Sequence, residues 1–333
     1  MKRYDVQVLG TGMYAPKKVV TNFDLEKIVE TNDQWIFERT GIKERRICST
    51  EGGEFPTDMA YHASMQALKA AQLNPNDIDL ILFATVTPDV KLPNCATILQ
   101  VKLGITNQCA CLDISAACSG FVYGFNMAQA MISMGMIRNA LIIGSEMLSR
   151  EVNWKDRNTC ILFGDGCGVA VVGRAQENSA SKVYSSILSA DGTGGEFFDQ
   201  PVGGSVTPIT KEHLENETHY MQMKGKEMFK VATRTLAENA KKVIHDAGLS
   251  LSEINWVVPH QANIRIIETT AKLLEFEMDK VIVNIDRYGN TSAATIPIAF
   301  HEAITDGRIK RGDVVLFDAF GAGLTAGAVL FKY

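Results

Sequence analysis

A cysteine, a histidine and an asparagine, each in a loop that follows an apolar run, are the residues of this chain whose types and placement could do chemistry. Cys118 stands in Asp-Ile-Ser-Ala-Ala-Cys-Ser-Gly-Phe (113–121), where an apolar strand ends in small residues and a helix begins. Small neighbours let the backbone turn sharply and let a substrate approach the sulfur. From Phe121 to Met134 apolar residues recur at helical spacing, which sets Cys118 at or near a helix N-terminus. Unpaired N–H groups and the positive end of the helix dipole favour thiolate there. His260 lies in Val-Val-Pro-His-Gln-Ala-Asn (257–263) and Asn290 in Tyr-Gly-Asn-Thr-Ser-Ala-Ala (288–294). Together they offer a nucleophile, an imidazole and a carboxamide.

Each of these residue types also has an ordinary structural use. Buried cysteines mostly pack, and that is the reading for Cys48, Cys95, Cys109, Cys111, Cys160 and Cys167. Cys109 and Cys111 alternate along one strand, and no nearby Cys or His pair completes a zinc pattern, so no metal site is expected. A histidine after Pro259 could be a satisfied loop residue. An asparagine between Gly289 and Thr291 could cap a helix or serve a turn. The arrangement of the three points to catalysis.

The elements that must position them repeat. Residues 71–84 (Ala-Gln-Leu-Asn-Pro-Asn-Asp-Ile-Asp-Leu-Ile-Leu-Phe-Ala) match 247–260 (Ala-Gly-Leu-Ser-Leu-Ser-Glu-Ile-Asn-Trp-Val-Val-Pro-His) without a gap, and residues 135–143 resemble 307–316 at nearly the same spacing. Cys118 displaced by the second spacing falls on Asn290. Internal repetition of this kind means two similar halves. Each half alternates helices with continuous apolar strands such as Leu80–Val86 and Ala140–Gly144, a pattern that predicts α/β architecture with mostly parallel sheets covered by helices. Active sites of such sheets form at the carboxyl ends of the strands. Cys118 then comes from a first half, 1–175, and His260 and Asn290 from a second, 176–333, with the polar stretch near 172–182 as boundary. Residues 191–219 read as an irregular surface excursion.

Composition removes other classes. With 333 residues, 46% of them hydrophobic, the chain can bury a sizeable core. A net charge of −5 leaves no basic footprint for nucleic acid. The start lacks the apolar core of a signal peptide, and seven cysteines without framework spacing suit a reducing cytoplasm. Val314 to Phe331 is broken by Asp318, Gly321, Gly323 and Gly327, which predicts two buried strands joined by a glycine loop and no membrane insertion. Gly-Thr-Gly-Met-Tyr-Ala (10–15) imitates a dinucleotide fingerprint, but Pro16 and the valines after it open no helix for a pyrophosphate.

In order and spacing, these segments resemble the β-ketoacyl-acyl-carrier-protein synthase III family of thiolase-fold condensing enzymes. The resemblance runs from Gly-Thr-Gly-Met-Tyr-Ala-Pro (10–16) through Asn-Asp-Gln-Trp-Ile (32–36), Arg-Thr-Gly-Ile-Lys-Glu-Arg-Arg (39–46), the Cys118 segment and Phe-Gly-Asp-Gly (163–166). It continues through Phe-Lys-Val-Ala (229–232), His-Gln-Ala-Asn (260–263), Gly-Asn-Thr-Ser-Ala-Ala (289–294) and Phe-Gly-Ala-Gly (320–323). It implies a thiolase-like fold of two βαβ-rich halves layered αβαβα. It also implies a decarboxylative Claisen condensation of acyl-CoA with malonyl-acyl carrier protein, initiating fatty acid biosynthesis without a cofactor. Cys118 would carry the acyl group, with backbone N–H groups of Cys118 and Ala322 as the oxyanion hole. His260 and Asn290 would stabilise the enolate. The same resemblance assigns Trp35 and Arg157 to the CoA adenine, Thr31 and Arg39 to the nucleotide, and Asn263 to the pantetheine arm. Lys230 and Arg265 would face the carrier protein, and Leu92 would enter the acyl pocket across a homodimer interface. Ala322 replaces a frequent glycine, which a backbone donor tolerates. Three alternatives stay open at this level: a related acyltransferase of secondary metabolism, a cysteine hydrolase and a non-catalytic carrier-binding paralogue.

Overall fold

The computed structural model describes residues 3–49 and 51–333. Met1 and Lys2, which open the segment read as lacking a signal peptide, lie outside the described residues. Nine strands build two sheets: β1 (Val6–Tyr14), β2 (Leu80–Ala84), β3 (Ala110–Ile114), β4 (Asn139–Met147), β5 (Asp165–Arg174), β6 (Lys182–Ala190), β7 (Trp256–Pro259), β8 (Val314–Gly321) and β9 (Thr325–Lys332). The first sheet has the order β1-β5-β4-β2-β3 and the second β6-β9-β8-β7. A parallel bridge from Val257 to Val281 adds a fifth position beside β7. The two orders are the same once each half is numbered from its own first strand. This is the repetition seen in the sequence.

One expectation needs correction. Among the described residues β2–β3, β2–β4 and β7–β8 are parallel, whereas β1–β5, β4–β5, β8–β9 and β9–β6 are antiparallel. The sheets are mixed. An unbroken apolar strand reports burial on both faces and says nothing about direction, and here both large sheets are covered on both sides. As expected, Val314–Lys332 forms two antiparallel buried strands around a glycine turn.

Long helices fill the layers: α1 (Asp33–Thr40), α2 (Pro56–Ala71), α3 (Cys95–Lys102), α4 (Gly120–Ser133), α5 (Gly225–Asp246), α6 (Ile264–Leu274) and α7 (Thr295–Thr305). The largest core cluster contains Phe121, Phe125 and Ile132 of α4, Ile296 and Phe300 of α7, and inward residues of both sheets such as Ile142, Phe317 and Phe331. Helices α4 and α7 are therefore the middle layer. Helices α2 and α3 cover the outer face of the first sheet with Met59, Leu68 and Leu99. Helices α5 and α6 cover the second with Ala240, Val243 and Ile267. The result is the αβαβα sandwich. Phe300, Phe317 and Phe331 meet edge to face at 4.8–5.9 Å between centroids, which adds about 0.5–1.5 kcal/mol per pair beyond area burial. No helix among the described residues is long and apolar enough to cross a membrane. Gly10 and Gly12 lie inside β1 and open no helix, as Pro16 predicts.

Two turns matter for chemistry. Short 3-10 turns at Ala117–Ser119 and Ser292–Ala294 lead into α4 and α7. Ala117 has φ of 45° and Ser292 has φ of 50°, left-handed values that cost roughly 1–3 kcal/mol for residues other than glycine. The two strained turns are equivalents in the two halves. Gly144 in β4 lets them close in, because a Cβ there would lie 2.2 Å from the Ala293 carbonyl oxygen.

Candidate active site

Cys118 sits on the first strained turn, buried, with its sulfur at the junction of two cavities. The thiolate expected from the helix N-terminus is not the resting state. Burial pushes the Cys118 thiol up to about 12, and the Glu146 carboxylate adds to the shift, while a Ser292 hydrogen bond opposes it. Removing water around sulfur outweighs the helix dipole. Gly321 brings the Phe-Gly-Ala-Gly turn flush against Cys118, since a Cβ on Gly321 would stand 2.7 Å from the Cys118 nitrogen. Thr325 Oγ1 donates to the Ala116 carbonyl at 2.9 Å and accepts from Ser119 Oγ at 2.8 Å, binding β9 to the nucleophile turn. Ala322 lines both cavities beside Cys118.

His260 follows the end of β7, with its backbone N–H donating to the Asp318 carbonyl at 2.8 Å. Its Nδ1 lies 2.7 Å from Thr295 Oγ1. Burial lowers its pKa to about 3, so the imidazole is neutral. The Thr295 hydroxyl also lies 3.0 Å from the Ser292 carbonyl, and in the tautomer with hydrogen on Nε2, the one that donates into the cavity, it turns from that carbonyl to donate to Nδ1. Asn290 is held by its backbone: its N–H donates to the Leu162 carbonyl at 2.9 Å and its carbonyl accepts from Gly164 N–H at 3.0 Å. Its Oδ1 accepts from Ser292 N–H at 2.8 Å, which leaves the Nδ2 hydrogens as donors. Cys118, His260 and Asn290 line one cavity, walled by Phe198, Met223, Phe229, Leu236, Ile266 and Phe320. The spacing argument that paired Cys118 with Asn290 was off by a few residues, because Cys118 matches Ala293 when the strained turns are superposed. The loops it paired are nonetheless equivalent.

The outer mouth of this cavity holds four of the expected binding residues, Trp35, Arg39, Asn263 and Arg265. Trp35, Arg39, Asn158, Lys226, Phe229, Asn263 and Arg265 line it, and Phe229 and Asn263 continue inward to the cysteine. Arg39 and Arg157 both lie over the Trp35 ring, at 4.2 and 5.0 Å from its centroid. Arg157 also donates to the Glu30 carbonyl at 2.9 Å, next to Thr31, whose hydroxyl oxygen is buried without a partner. Asn263 caps α6 by accepting from Arg265 N–H at 2.9 Å. Lys230 on α5 is exposed, as is Arg265. Leu92 lines neither cysteine cavity; it is 87% exposed on the surface of the chain. A second cavity at Cys118, about 160 Å³, is lined by Val86, Leu148, Phe198, Met221 and Ser292.

Sequence reasoning missed Thr295, Ser292, Glu146 and Lys226. Ser292 and Thr295 follow Asn290 by two and five residues, inside the quoted loop or just beyond it. Glu146 was visible only as a carboxylate at the end of an apolar strand.

Known proteins are similar to this chain in sequence and fold. The family described as 3-oxoacyl-[acyl-carrier-protein (ACP)] synthase III matches residues 112–192, and its C-terminal counterpart matches 244–333. A beta-ketoacyl-[acyl-carrier-protein] synthase III of Caldanaerobacter subterraneus subsp. tengcongensis is 50% identical over 98% of this chain and 97% of its own. The chain belongs to the 3-oxoacyl-[acyl-carrier-protein] synthase III family. The crystal structure of 3-oxoacyl-[acyl-carrier-protein] synthase III from Aquifex aeolicus superposes with a TM-score of 0.91 at 46% identity, covering 98% of this chain and 100% of that one. The priming beta-ketosynthase of the R1128 polyketide pathway superposes at 0.90 with 30% identity, covering 99% and 97%. As a synthase III, the chain is a condensing acyltransferase of fatty acid biosynthesis with the thiolase fold.

Proposed function

We propose that this synthase III takes an acyl group from acyl-CoA onto Cys118 and condenses it with malonyl-acyl carrier protein. The observation that carries the reading is the convergence of a thiol and two neutral donors, His260 and Asn290, on one apolar cavity with a basic, Trp35-bearing mouth. In the first half-reaction Cys118 sulfur attacks the thioester, with the N–H groups of Cys118 and Ala322 receiving the developing oxyanion. In the second, loss of CO₂ from malonyl leaves an enolate whose oxygen accepts from His260 Nε2 and Asn290 Nδ2. The enolate carbon then attacks the acyl-cysteine. Neutral donors suit this task, since no proton need leave carbon.

Trp35 with Arg157 would hold the adenine, and Arg157 must swing aside because a base cannot fit within 5.0 Å of ring and guanidinium. Thr31 and Arg39 would meet the remaining nucleotide, and Asn263 the pantetheine arm. The seven free cysteines fit a reducing cytoplasm. The hydrolase reading loses support, because Asn290 binds Ser292 N–H and leaves the orientation of His260 to Thr295. The deciding assay offers a panel of acyl-CoA primers with malonyl carrier protein and measures product mass. Hydrolysis of the primers without a condensed product would sink the proposal.

Carrier recognition is assigned to Lys230 and Arg265, exposed beside the mouth and in no ion pair among the described residues. Lys230→Glu and Arg265→Glu should each slow condensation several-fold at low salt while acylation of Cys118 by acyl-CoA stays near the parent rate. Added salt should narrow the gap, because steering by surface charge is screened. Equal damage to both half-reactions would refute a docking role.

A homodimer completes the proposal. The outer edge of β3 carries exposed Ala110 and Leu112, and α3, which packs beside it, carries the still more exposed Val101. An open apolar edge strand invites pairing with a second copy. Leu92, exposed on the same half, would then reach the partner's acyl pocket. Light scattering should give twice the 36.5 kDa chain mass, and Leu92→Phe should shift preference toward acetyl primers. A monomer, or an unchanged primer profile, would count against this assembly.

A further inference from the structure

Glu146 is a carboxyl group inside the protein that the reaction above does not use. It ends β4 on the face that carries Ala140 and Ile142 toward the central helices, and it is completely buried. One oxygen is saturated: Oε2 accepts from Thr85 Oγ1 at 3.0 Å, Val86 N–H at 3.0 Å and Thr87 Oγ1 at 2.7 Å. The other, Oε1, has no partner within ordinary hydrogen-bond length. Ser292 lines one cavity with Cys118, and its turn is pressed onto β4 where Gly144 meets Ala293, two residues before Glu146; its hydroxyl favours the charged form of both the carboxyl and the thiol. A buried, half-satisfied carboxyl costs stability unless something uses it. The left-handed φ of Ser292 is a second local cost at the same point.

We infer that Glu146, acting through Ser292, accepts the Cys118 thiol proton during acylation and returns it when the sulfur is released. The inference rests on Cys118 being the acylated nucleophile. As the sulfur–carbon bond forms, the thiol proton passes to Ser292 Oγ while the Ser292 hydroxyl proton passes to Glu146 Oε1. The CoA thiolate leaves and takes a proton from solvent. When the enolate later breaks the sulfur–acyl bond, the cysteine thiolate recovers its proton along the same path. One solvent proton is consumed per turnover, as loss of CO₂ from a malonyl carboxylate requires.

The acidities agree with the geometry. The thiol rests protonated, near 12, while burial raises Glu146 to about 7, so close to half of it is ionised at neutral pH and ready to accept. The other titratable groups on neighbouring elements are committed elsewhere. Asp165 on β5 accepts from Cys48 N–H and from Ser149, Asp113 on β3 accepts from Cys95 and Ala96 N–H, and Asp89 accepts from Thr57. Cys167 belongs to the core on the far side of the sheet, and His260 is neutral.

The test is alkylation of Cys118 by iodoacetamide, mapped by peptide mass, across pH 5.5–9 in the intact protein. The parent rate should rise through about pH 7 and level off. Glu146→Gln should lower the rate at pH 7.5 about 10²-fold, the lower end for a removed general base, and erase the inflection. Ser292→Ala should do the same. If Glu146 acted only by its charge, Glu146→Gln would ease ionisation of the thiol and speed alkylation. A faster or unchanged rate overturns the relay, and so does a slower rate that keeps the inflection near pH 7. Should Glu146→Gln not fold, Ser292→Ala decides by the same criteria. Iodoacetamide needs no acyl-CoA recognition, so failure of acyl-CoA to label the parent protein would refute the substrate reading and leave this measurement standing.

Discussion

Cys118→Ala should abolish both acylation by acyl-CoA and formation of the condensed product, with the fold intact. Removal of a nucleophile costs on the order of 10⁶ in kcat where it has been measured alone. Nothing in the site can substitute for the lost sulfur. The other six cysteines line neither cavity at the site, and a serine hydroxyl such as that of Ser292 is a far weaker nucleophile than a thiol. The substitution removes one buried, desolvated thiol and leaves the Ala117 turn, the Thr325 bonds and helix α4 in place, so the melting temperature should move little. Release of CO₂ from malonyl carrier protein should persist, because His260 and Asn290 are held by Thr295, Ser292 and Leu162 and do not depend on the sulfur. Intact-protein mass spectrometry reads the first claim directly. An acyl adduct on the alanine variant would remove Cys118 from its role.

The candidate residues Cys118 and His260 were legible because each stands where an apolar strand gives way to a helix, whereas Asn290, read in the same way, follows the short helix Ile285–Tyr288. That local signature survives without knowledge of any contact. The layered fold was legible from the repeat, since an ungapped match between 71–84 and 247–260 requires two similar halves. Strand direction was not. Leu141 and Val171 pair antiparallel, yet both sit in runs that read like the parallel strand at Leu80–Ala84. The ionisation of Cys118 was misjudged because a helix end is visible in sequence and desolvation is not. Burial of that sulfur comes from Phe320, His260 and Leu162, contributed by segments far away in the chain.

The supporting residues escaped for the same reason. Glu146 looks like a strand-end carboxylate until Thr85 and Thr87 are seen to meet it from 61 and 59 residues away. Thr295 looks like the first residue of a helix until its hydroxyl is found at His260 Nδ1, 35 residues off. Trp35 and Arg157 were paired through the family resemblance, and their 5.0 Å approach could not have come from spacing. Residue types that act alone advertise themselves. Those that act by holding another residue become visible only in three dimensions.

His260→Ala and Asn290→Ala should each slow malonyl decarboxylation about 10²–10³-fold, the usual cost of one preorganised donor, and leave acylation of Cys118 within a few-fold of the parent. The asymmetry follows from position. Both side chains are oriented before substrate arrives, the His260 ring by Thr295 Oγ1 at Nδ1 and the Asn290 carboxamide by Ser292 N–H at Oδ1. Neither is bonded to the Cys118 sulfur among the described residues. The charge state of His260 gives a second reading. Its pKa in the fold, about 3, lies below the ordinary 6.5, so the neutral form is the one the fold favours. The unfolded chain therefore binds a proton between those values that the folded chain refuses. Stability contributed by this group is complete above pH 6.5 and is lost as pH falls toward 3. Because the imidazole donates as a neutral group, CO₂ release should show no fall as pH rises through 6.5. A fall there that vanished in His260→Ala would mean that a charged imidazolium does the work. Decarboxylation near the parent rate in either alanine variant would remove that side chain from the enolate site.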